Sequence, residues 1–244
     1  MLTESHLQTF QATGHVTVNN VLDAATVQAA REELSQWSQQ FLAELPVDQR
    51  RWYLERGQLR KLDHPVATRP FFRELAGRAD LVAAVEQLIG PGVTVFFSQV
   101  FCKPPEVGGP KPVHQDNFYF GPDDEQKTLT VWIAIDEATT ENGCLFFADG
   151  SHSGGVVDHF APPDEPFNLQ VQPKLTSQYE MTAAPVAAGG ISFHHGNTWH
   201  QSSANRSSDA RRAVVFHYLR NDAMLVKPTL NYDLSLAVRV STAD

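Results

Sequence analysis

The sequence predicts a mainly β protein with flanking helices: a double-stranded β-helix (a jelly-roll, cupin-like barrel) with N-terminal helices packed on one sheet. Two observations support this prediction. Residues up to about 90 show the three-to-four-residue apolar period of amphipathic helices, whereas residues 93–220 contain a succession of short apolar or alternating segments. Strands with one apolar and one mixed face suit a sheet that packs on helices and encloses a cavity.

The helical part has clear boundaries. Asp23 is a favourable N-cap, and Val27, Ala30 and Leu34 begin an apolar stripe that indicates one long buried helix face. Gly90-Pro91-Gly92 is a strong helix stop. We expect residues 46–66, which are polar and arginine-rich, to cross the surface. The remaining predicted elements of this part are helices over 3–12, 24–44, 69–76 and 79–89 and a strand over 14–18.

The β part is predicted from alternation and from β-branched and aromatic content. Leu129, Val131 and Ile133 point to one side of a predicted strand, and Thr130 and Trp132 point to the other. Residues 152–182 carry prolines and acids without a sustained period, which predicts a long loop that acts as a lid. The predicted strands of this part are 93–103, 128–136, 143–148, 188–195 and 212–220.

Composition restricts the class of protein. The 244 residues carry a net charge of −9 and contain no run of lysine or arginine, which argues against nucleic acid and anionic membranes as partners. Two cysteines and an N-terminus without a basic and apolar leader favour the cytoplasm. We therefore expect one domain over 1–244, cytoplasmic, monomeric or homodimeric, acting on a small molecule without nucleic acid or membrane.

His114-Gln115-Asp116 is the first candidate site. In an extended strand, residues i and i+2 point the same way, so His114 and Asp116 would present an imidazole and a carboxylate side by side. A further imidazole would complete the two-histidine, one-carboxylate set that holds non-haem Fe(II) and leaves positions open. If the strand continued, Phe118 and Phe120 would point to the same side as His114 and Asp116. We therefore expect Phe118 and Phe120 at the substrate entrance, with core packing as the alternative.

The second histidine has several candidates, which are His194, His195, His200 and His217. We favour His200, because a turn at 195–197 precedes it and Arg211 follows eleven residues later. A hairpin would bring His200 and Arg211 to neighbouring strands lining one cavity. A guanidinium suits the far carboxylate of a 2-oxo diacid bound to the metal. His217 shares the strand parity of Arg211 and is expected at the cavity edge, or as a core histidine.

Taken together, the motifs resemble those of the phytanoyl-CoA dioxygenase family of Fe(II)/2-oxoglutarate oxygenases. The resemblance covers roughly residues 10–220 and is found in the following segments: Lys103-Pro104-Pro105 with His114–Asp116, Thr130–Trp132, Glu141–Leu145, Gly150–His152 and His200–Arg212. It implies that His114, Asp116 and His200 bind Fe(II) and that Arg211 anchors 2-oxoglutarate. Trp132, Ser202, Gln99 and Lys61 match family positions that contact this cosubstrate.

The resemblance also implies the reaction. Fe(II), 2-oxoglutarate and O₂ would oxidise an unactivated C–H bond of a small or medium organic substrate, giving succinate and CO₂. Halogenating relatives carry a small residue where Asp116 stands, so the carboxylate favours hydroxylation. Epimerisation, desaturation or ring closure in natural-product biosynthesis remains an alternative. A barrel that binds a metal or ligand without turnover, and a cupin-type enzyme independent of 2-oxoglutarate, are the competing classes.

Overall fold

The computed structural model describes residues 1–163 and 168–242. Within them, the helices are α1 Glu4–Thr13, α2 Ala24–Glu44, α3 Arg50–Tyr53, α4 Pro65–Thr68, α5 Pro70–Ala76, α6 Ala79–Ile89, α7 Asp116–Phe120 and α8 Pro173–Thr176. The strands are β1 His15–Val18, β2 Leu54–Glu55, β3 Gln58–Leu59, β4 Lys61–Asp63, β5 Val93–Lys103, β6 Lys111–His114, β7 Thr128–Ala134, β8 Leu145–Ala148, β9 His159–Phe160, β10 Gln170–Val171, β11 Met181–Ala184, β12 Ile191–His195, β13 His200–Ser202, β14 Arg211–Arg220 and β15 Val238–Arg239.

Two sheets face each other across the cavity. The larger sheet has the strand order β1-β12-β7-β14-β5-β15, with β4 also paired to β5, and the smaller sheet has the order β11-β8-β13-β6. Trp132 and Val215 of the larger sheet pack against Phe147 and Leu145 of the smaller one. The predicted jelly-roll fold is confirmed.

The N-terminal helices cover the outer face of the larger sheet, as predicted. Leu34 of α2 and Phe72 of α5 belong to one buried apolar cluster with Val131 of β7 and Phe216 of β14. Burial of a side chain of this size stabilises the fold by about 1.5 to 3 kcal/mol. The outward residues of β7 therefore hold the helices, and its inward residues are left for the cavity.

Local signals explain the helix ends. The Asp23 side chain accepts a hydrogen bond from the Thr26 amide at 2.7 Å, which confirms the predicted N-cap of α2. Gly90 ends α6 with φ of +95°, a conformation that favours glycine. No helix among the described residues has the length and apolar character needed to cross a membrane.

Two predictions about connecting segments are wrong in part. Residues 46–66 do not only cross the surface, because they contain the β2–β3 hairpin and β4, which adds to the edge of β5. Residues 152–182 are not a bare loop, because their described part includes the β9–β10 pair, α8 and the beginning of β11. Residues 164–167 of this segment lie outside the described residues, and its action as a lid stays a prediction.

Candidate metal and cosubstrate site

His114, Asp116 and His200 meet between the two sheets. All three are buried, and their possible ligand atoms lie within 4.8 Å of one another. One carboxylate oxygen, Asp116 Oδ1, lies 3.8 Å from His114 Nε2 and 3.7 Å from His200 Nε2. Two imidazole nitrogens and one carboxylate oxygen facing one point are a donor set that suits a divalent transition metal.

The backbone brings His114 and Asp116 together differently from the prediction. β6 ends at His114, Gln115 is extended, and Asp116 begins the short helix α7. The expectation of one continuous strand is therefore wrong from Asp116 onwards. The convergence survives because only one extended residue separates the two, and because Asp116 as the first helical residue points back towards β6.

The expected hairpin between His200 and Arg211 is also wrong. β13 pairs with β6 and β8, and His200 lies directly opposite His114 in this register. Arg211 begins β14, which belongs to the larger sheet between β5 and β7. The two residues therefore reach the cavity from opposite sheets. Sequence proximity could not reveal this, because the polar stretch between them crosses from one sheet to the other.

Both candidate histidine ligands are held with Nε2 towards the centre. Nδ1 of His114 lies 2.8 Å from the Pro112 carbonyl oxygen, and Nδ1 of His200 lies 2.9 Å from the Thr198 carbonyl oxygen. A carbonyl can only accept, so Nδ1 carries the proton and Nε2 presents a lone pair. Burial lowers the pKa of His200 to about 4 and holds that of His114 well below 6.5. Neutral rings are the form that binds a metal.

The second oxygen of Asp116 is fixed by the larger sheet. Thr130 Oγ1 donates to Asp116 Oδ2 at 2.5 Å, and His194 Nε2 lies 3.2 Å from the same oxygen. His217 Nδ1 lies 2.9 Å from Thr130 Oγ1, which already donates to the carboxylate, so the imidazole donates to the hydroxyl. Burial opposes ionisation of Asp116, but the neighbouring imidazoles outweigh it and hold its pKa well below the usual range. The carboxylate is therefore charged and oriented, with Oδ1 turned to the histidines.

Arg211 is a buried cation that has no acid partner among the described residues. Its side chain is 2% exposed and its guanidinium carbon lies 5.3 Å from the centre of the Trp132 ring. Nε is buried and lacks a hydrogen-bond acceptor, and no carboxylate of residues 1–163 or 168–242 forms an ion pair with it. Burial lowers the pKa of Arg211 only to about 10, so it stays charged at neutral pH. An unpaired buried charge costs several kcal/mol, which indicates a site for an anion.

Its neighbour Arg212 behaves differently. Arg212 faces the opposite side of β14 and binds Asp136 with two nitrogens, at 2.7 and 2.9 Å. Arg31 also binds Asp136, at 3.1 Å. Of the two adjacent arginines, only Arg211 is directed into the space between the sheets.

The other predicted cosubstrate contacts lie on four strands, with Lys61 on β4, Gln99 on β5, Trp132 on β7 and Ser202 on β13. Lys61 and Gln99 both bind the Asp63 carboxylate, with Lys61 Nζ at 2.9 Å and Gln99 Nε2 at 2.7 Å. Ser202 is buried on β13, two residues after His200. Contact of Lys61, Gln99, Ser202 and Trp132 with 2-oxoglutarate stays a prediction. Because Lys61 is paired with Asp63, Arg211 is the better anchor for a carboxylate.

Phe118 and Phe120, two of the predicted pocket residues, do not lie on a strand face, because both belong to α7. Phe118 stacks on His159 with 4.0 Å between ring centres. Phe120 is buried, with its ring 4.9 Å from Phe96 and 4.8 Å from His217. The parity argument that grouped Phe118 and Phe120 with His114 is therefore wrong. Whether these side chains and His217 contact substrate stays a prediction.

For several residues that surround the site, the sequence alone does not indicate a functional role. The alternation of β7 places Thr130 on its inner face but does not link it to Asp116, and His194 is expected only as a possible ligand or as a structural, pocket-lining residue. Tyr232 packs 5.1 Å from Phe97 in the C-terminal segment, and burial followed by the charge of Asp116 raises its pKa. Strand parity could have indicated Thr130. No local pattern marks Tyr232.

The fold and site define a jelly-roll protein with a buried His-Asp-His set and an unpaired arginine between its sheets. The family model for phytanoyl-CoA dioxygenase (PhyH) matches residues 10–213. The chain belongs to this family. The match ends within β14, so the C-terminal segment that carries Tyr232 lies beyond it.

Individual proteins agree with this assignment. Phytanoyl-CoA dioxygenase domain-containing protein 1 of Danio rerio is 29% identical over 177 residues, which are 70% of this chain and 60% of that protein. The chain thus spans less than two thirds of that relative. The non-haem α-ketoglutarate-dependent carbocyclase SnoK from nogalamycin biosynthesis superposes with a TM-score of 0.77 at 23% identity, covering 100% of this chain and 94% of SnoK. EctD from S. alaskensis, solved with 2-oxoglutarate and 5-hydroxyectoine, superposes with a TM-score of 0.75 at 19% identity. The superposition covers 93% of this chain and 79% of the EctD chain. These superpositions support the fold.

Proposed function

We propose that this chain is an Fe(II)/2-oxoglutarate-dependent dioxygenase that oxidises a C–H bond of a small or medium organic molecule. The observation that carries the proposal is the pairing of two features in one cavity. His114, Asp116 and His200 offer three donors to one metal, and Arg211 offers an uncompensated charge to one anion. Family membership and the names of the relatives support the same activity.

In the proposed site, each residue has a defined task. His114, Asp116 and His200 would hold Fe(II), and Arg211, stacked against Trp132, would bind the distal carboxylate of 2-oxoglutarate. The bound iron and keto acid supply the O₂ activation that oxidises the substrate and yields succinate and CO₂. Thr130 and His194 keep Asp116 oriented, and the buried surroundings exclude water from the centre.

The reaction outcome is proposed as hydroxylation. Asp116 occupies with its carboxylate the position that a halide would need, so halogenation is disfavoured. Carbocyclase and epimerase relatives in natural-product biosynthesis share the fold, and ring closure or epimerisation is therefore the alternative outcome. Mass spectrometry separates hydroxylation, which adds one oxygen, from ring closure, which removes two hydrogens. Epimerisation leaves the mass unchanged and is recognised by chiral chromatography.

The decisive experiment uses binding, not turnover. The anaerobic protein is loaded with Fe(II) and titrated with 2-oxoglutarate while the visible keto-acid-to-iron charge-transfer absorption is recorded. We expect the band in the wild type and in Arg212→Met, and a loss of affinity of about a hundredfold or more in Arg211→Met. A wild-type protein that binds Fe(II) but never develops the band would favour the non-catalytic binder. Oxidation of substrate without 2-oxoglutarate would favour the cupin-type enzyme.

A further inference from the structure

Two buried cations lie on neighbouring strands of the larger sheet. Lys103, the last residue of β5, lies directly opposite Arg211 in the antiparallel β5–β14 register. Lys103 and Gln99 are four residues apart on β5, so their side chains point to the same face of the sheet. Gln99 lies opposite Val215, which belongs to the apolar core between the two sheets, so Lys103 also points between the sheets. Lys103 and Arg211 are 7% and 2% exposed. Like charges at such proximity repel each other strongly in a medium of low dielectric constant.

The Lys103 ammonium is held by backbone carbonyls. Nζ donates to the Gly109 oxygen at 2.6 Å and to the Ser203 oxygen at 2.7 Å. The side chain packs closely over Gly143, where an added Cβ would lie 2.7 Å from Lys103 Cδ. These contacts tie the segments after β5 and after β13 to the strand that carries Lys103. They fix the ammonium beside Arg211 without neutralising it.

No acid pairs with Lys103 in residues 1–163 and 168–242. Of the charged groups that face it, Arg211 on β14 repels its charge and Glu55 on β2 attracts it. The Glu55 carboxylate accepts from the Gly109 amide, at 3.1 Å to each oxygen. The Cys144 thiol, next to Gly143, is neutral because burial raises its pKa. The local balance is therefore positive.

We propose that Lys103 is a positioning residue of the cosubstrate pocket that adds a second positive charge at the end that receives the distal carboxylate of 2-oxoglutarate, acting through Arg211. This inference rests on the proposed function. Arg211 makes the direct contact, and Lys103 raises the positive potential at the guanidinium. Fe(II) held by Asp116 would balance the carboxylate at the metal, so Arg211 and Lys103 both act on the distal carboxylate, where a second buried positive charge strengthens the binding of the anion.

The proximity of Lys103 and Arg211 also predicts that the affinity for 2-oxoglutarate depends on pH. Burial, and then repulsion by Arg211, lowers the pKa of Lys103 to about 7 in the free protein. A bound dianion offsets that repulsion, so the pKa of Lys103 rises on binding and a proton is taken up. Affinity for 2-oxoglutarate is therefore highest when Lys103 is already protonated, and it falls as the pH rises above about 7.

The experiment compares wild type with Lys103→Met, which keeps the side-chain length without the charge. Both are loaded with Fe(II) under anaerobic conditions and titrated with 2-oxoglutarate from about pH 6 to about pH 9, with the charge-transfer band as readout. We expect Lys103→Met to bind about tenfold more weakly at the acid end and nearly equally at the alkaline end. Titrations of groups common to both proteins cancel in the ratio of the two dissociation constants.

Two further variants keep the result decisive. Lys103→Arg retains the charge at every pH, so its affinity should stay high where that of the wild type has fallen. Lys127→Met, which removes a lysine that binds Asp222 on the surface, should keep the wild-type profile. A ratio that is constant across pH would show Lys103 to be only a tether between loops and would overturn the inference. Absence of any band in the wild type would instead refute the proposed function.

Discussion

Thr130 Oγ1 lies 2.5 Å from Asp116 Oδ2 and leaves Asp116 Oδ1 turned towards His114 and His200. The larger sheet thus orients a carboxylate that belongs to the segment after β6 of the smaller sheet. Removing the donor should disorder the candidate metal site without removing any ligand. Partners of metal ligands commonly affect affinity by about ten- to a hundredfold.

We predict that Thr130→Val, which is nearly isosteric, lowers the affinity for Fe(II) or Co(II) by about tenfold or more. The cause is the lost hydrogen bond to Asp116 Oδ2. Anaerobic titration with Co(II), followed by its visible absorption, measures the change. Thr182→Val on the exposed side of β11 is the matched control and should bind like the wild type. Equal affinity of Thr130→Val and wild type would show that the hydrogen bond does not position the ligand.

Arg211 should destabilise the protein while its anion is absent. We predict that Arg211→Met raises the free energy of unfolding of the ligand-free protein by about 1 kcal/mol or more, because methionine fills the space without a buried charge. Urea denaturation of both proteins measures the difference. Arg212→Met should instead lower stability by about 1 kcal/mol, since Asp136 loses two hydrogen bonds. A less stable Arg211→Met protein would mean that the guanidinium is already compensated.

The elements that the sequence predicted well are those with local causes. α2 begins after its aspartate cap, and β5 covers the predicted residues 93–103, because capping and apolar content act over a few residues. The non-local pairings could not be derived in this way. β13 has only three residues, and its pairing with β6 depends on the register of the whole smaller sheet.

The site shows the same difference between local features, which can be predicted from the sequence, and non-local contacts, which cannot. The residue types at 114, 116, 200 and 211 predicted a metal and an anion, and the structure brings the first three side chains together and buries Arg211 against Trp132. The path of the chain between them was predicted incorrectly. The bond between Thr130 and Asp116 depends on the packing of two sheets, and such contacts leave no periodic trace in a single sequence.

Acid should destabilise the metal-free protein. Burial lowers the pKa of His159 and of His195 to about 4, from an ordinary value near 6.5. Between about pH 4 and about pH 6.5 these histidines are protonated in the unfolded chain but neutral in the folded chain. The free energy of unfolding is therefore unaffected above about pH 6.5 and decreases progressively as the pH falls towards about 4. Melting temperatures across this range measure the loss. His195→Gln should flatten the dependence, because it removes one of the two buried rings.

The segment after residue 151 depends on one buried side chain for its attachment beside the site. The Gln115 amide group donates to the carbonyl oxygens of Gly155 and Asn197, at 2.8 and 2.7 Å, and its oxygen accepts from the Val157 amide at 2.8 Å. The Gln115 backbone amide also donates to His159 Nε2 at 2.9 Å. A residue between two candidate ligands thus fixes the chain that packs over Phe118.

We predict that Gln115→Ala increases the rate of tryptic cleavage after Lys174 by about tenfold or more, because each lost hydrogen bond contributes about 1 kcal/mol to keeping the segment closed. Mass spectrometry of the fragments over time measures this rate. Gln115→Glu keeps the shape but turns a carboxylate oxygen towards the Gly155 and Asn197 carbonyl oxygens, so it should be cleaved at least as fast as Gln115→Ala. Gln28→Ala on α2 should leave the rate unchanged. If Gln115→Ala were cleaved as slowly as the wild type, contacts other than those of Gln115 would have to hold residues 152–182, and their proposed action as a lid would need a different hinge.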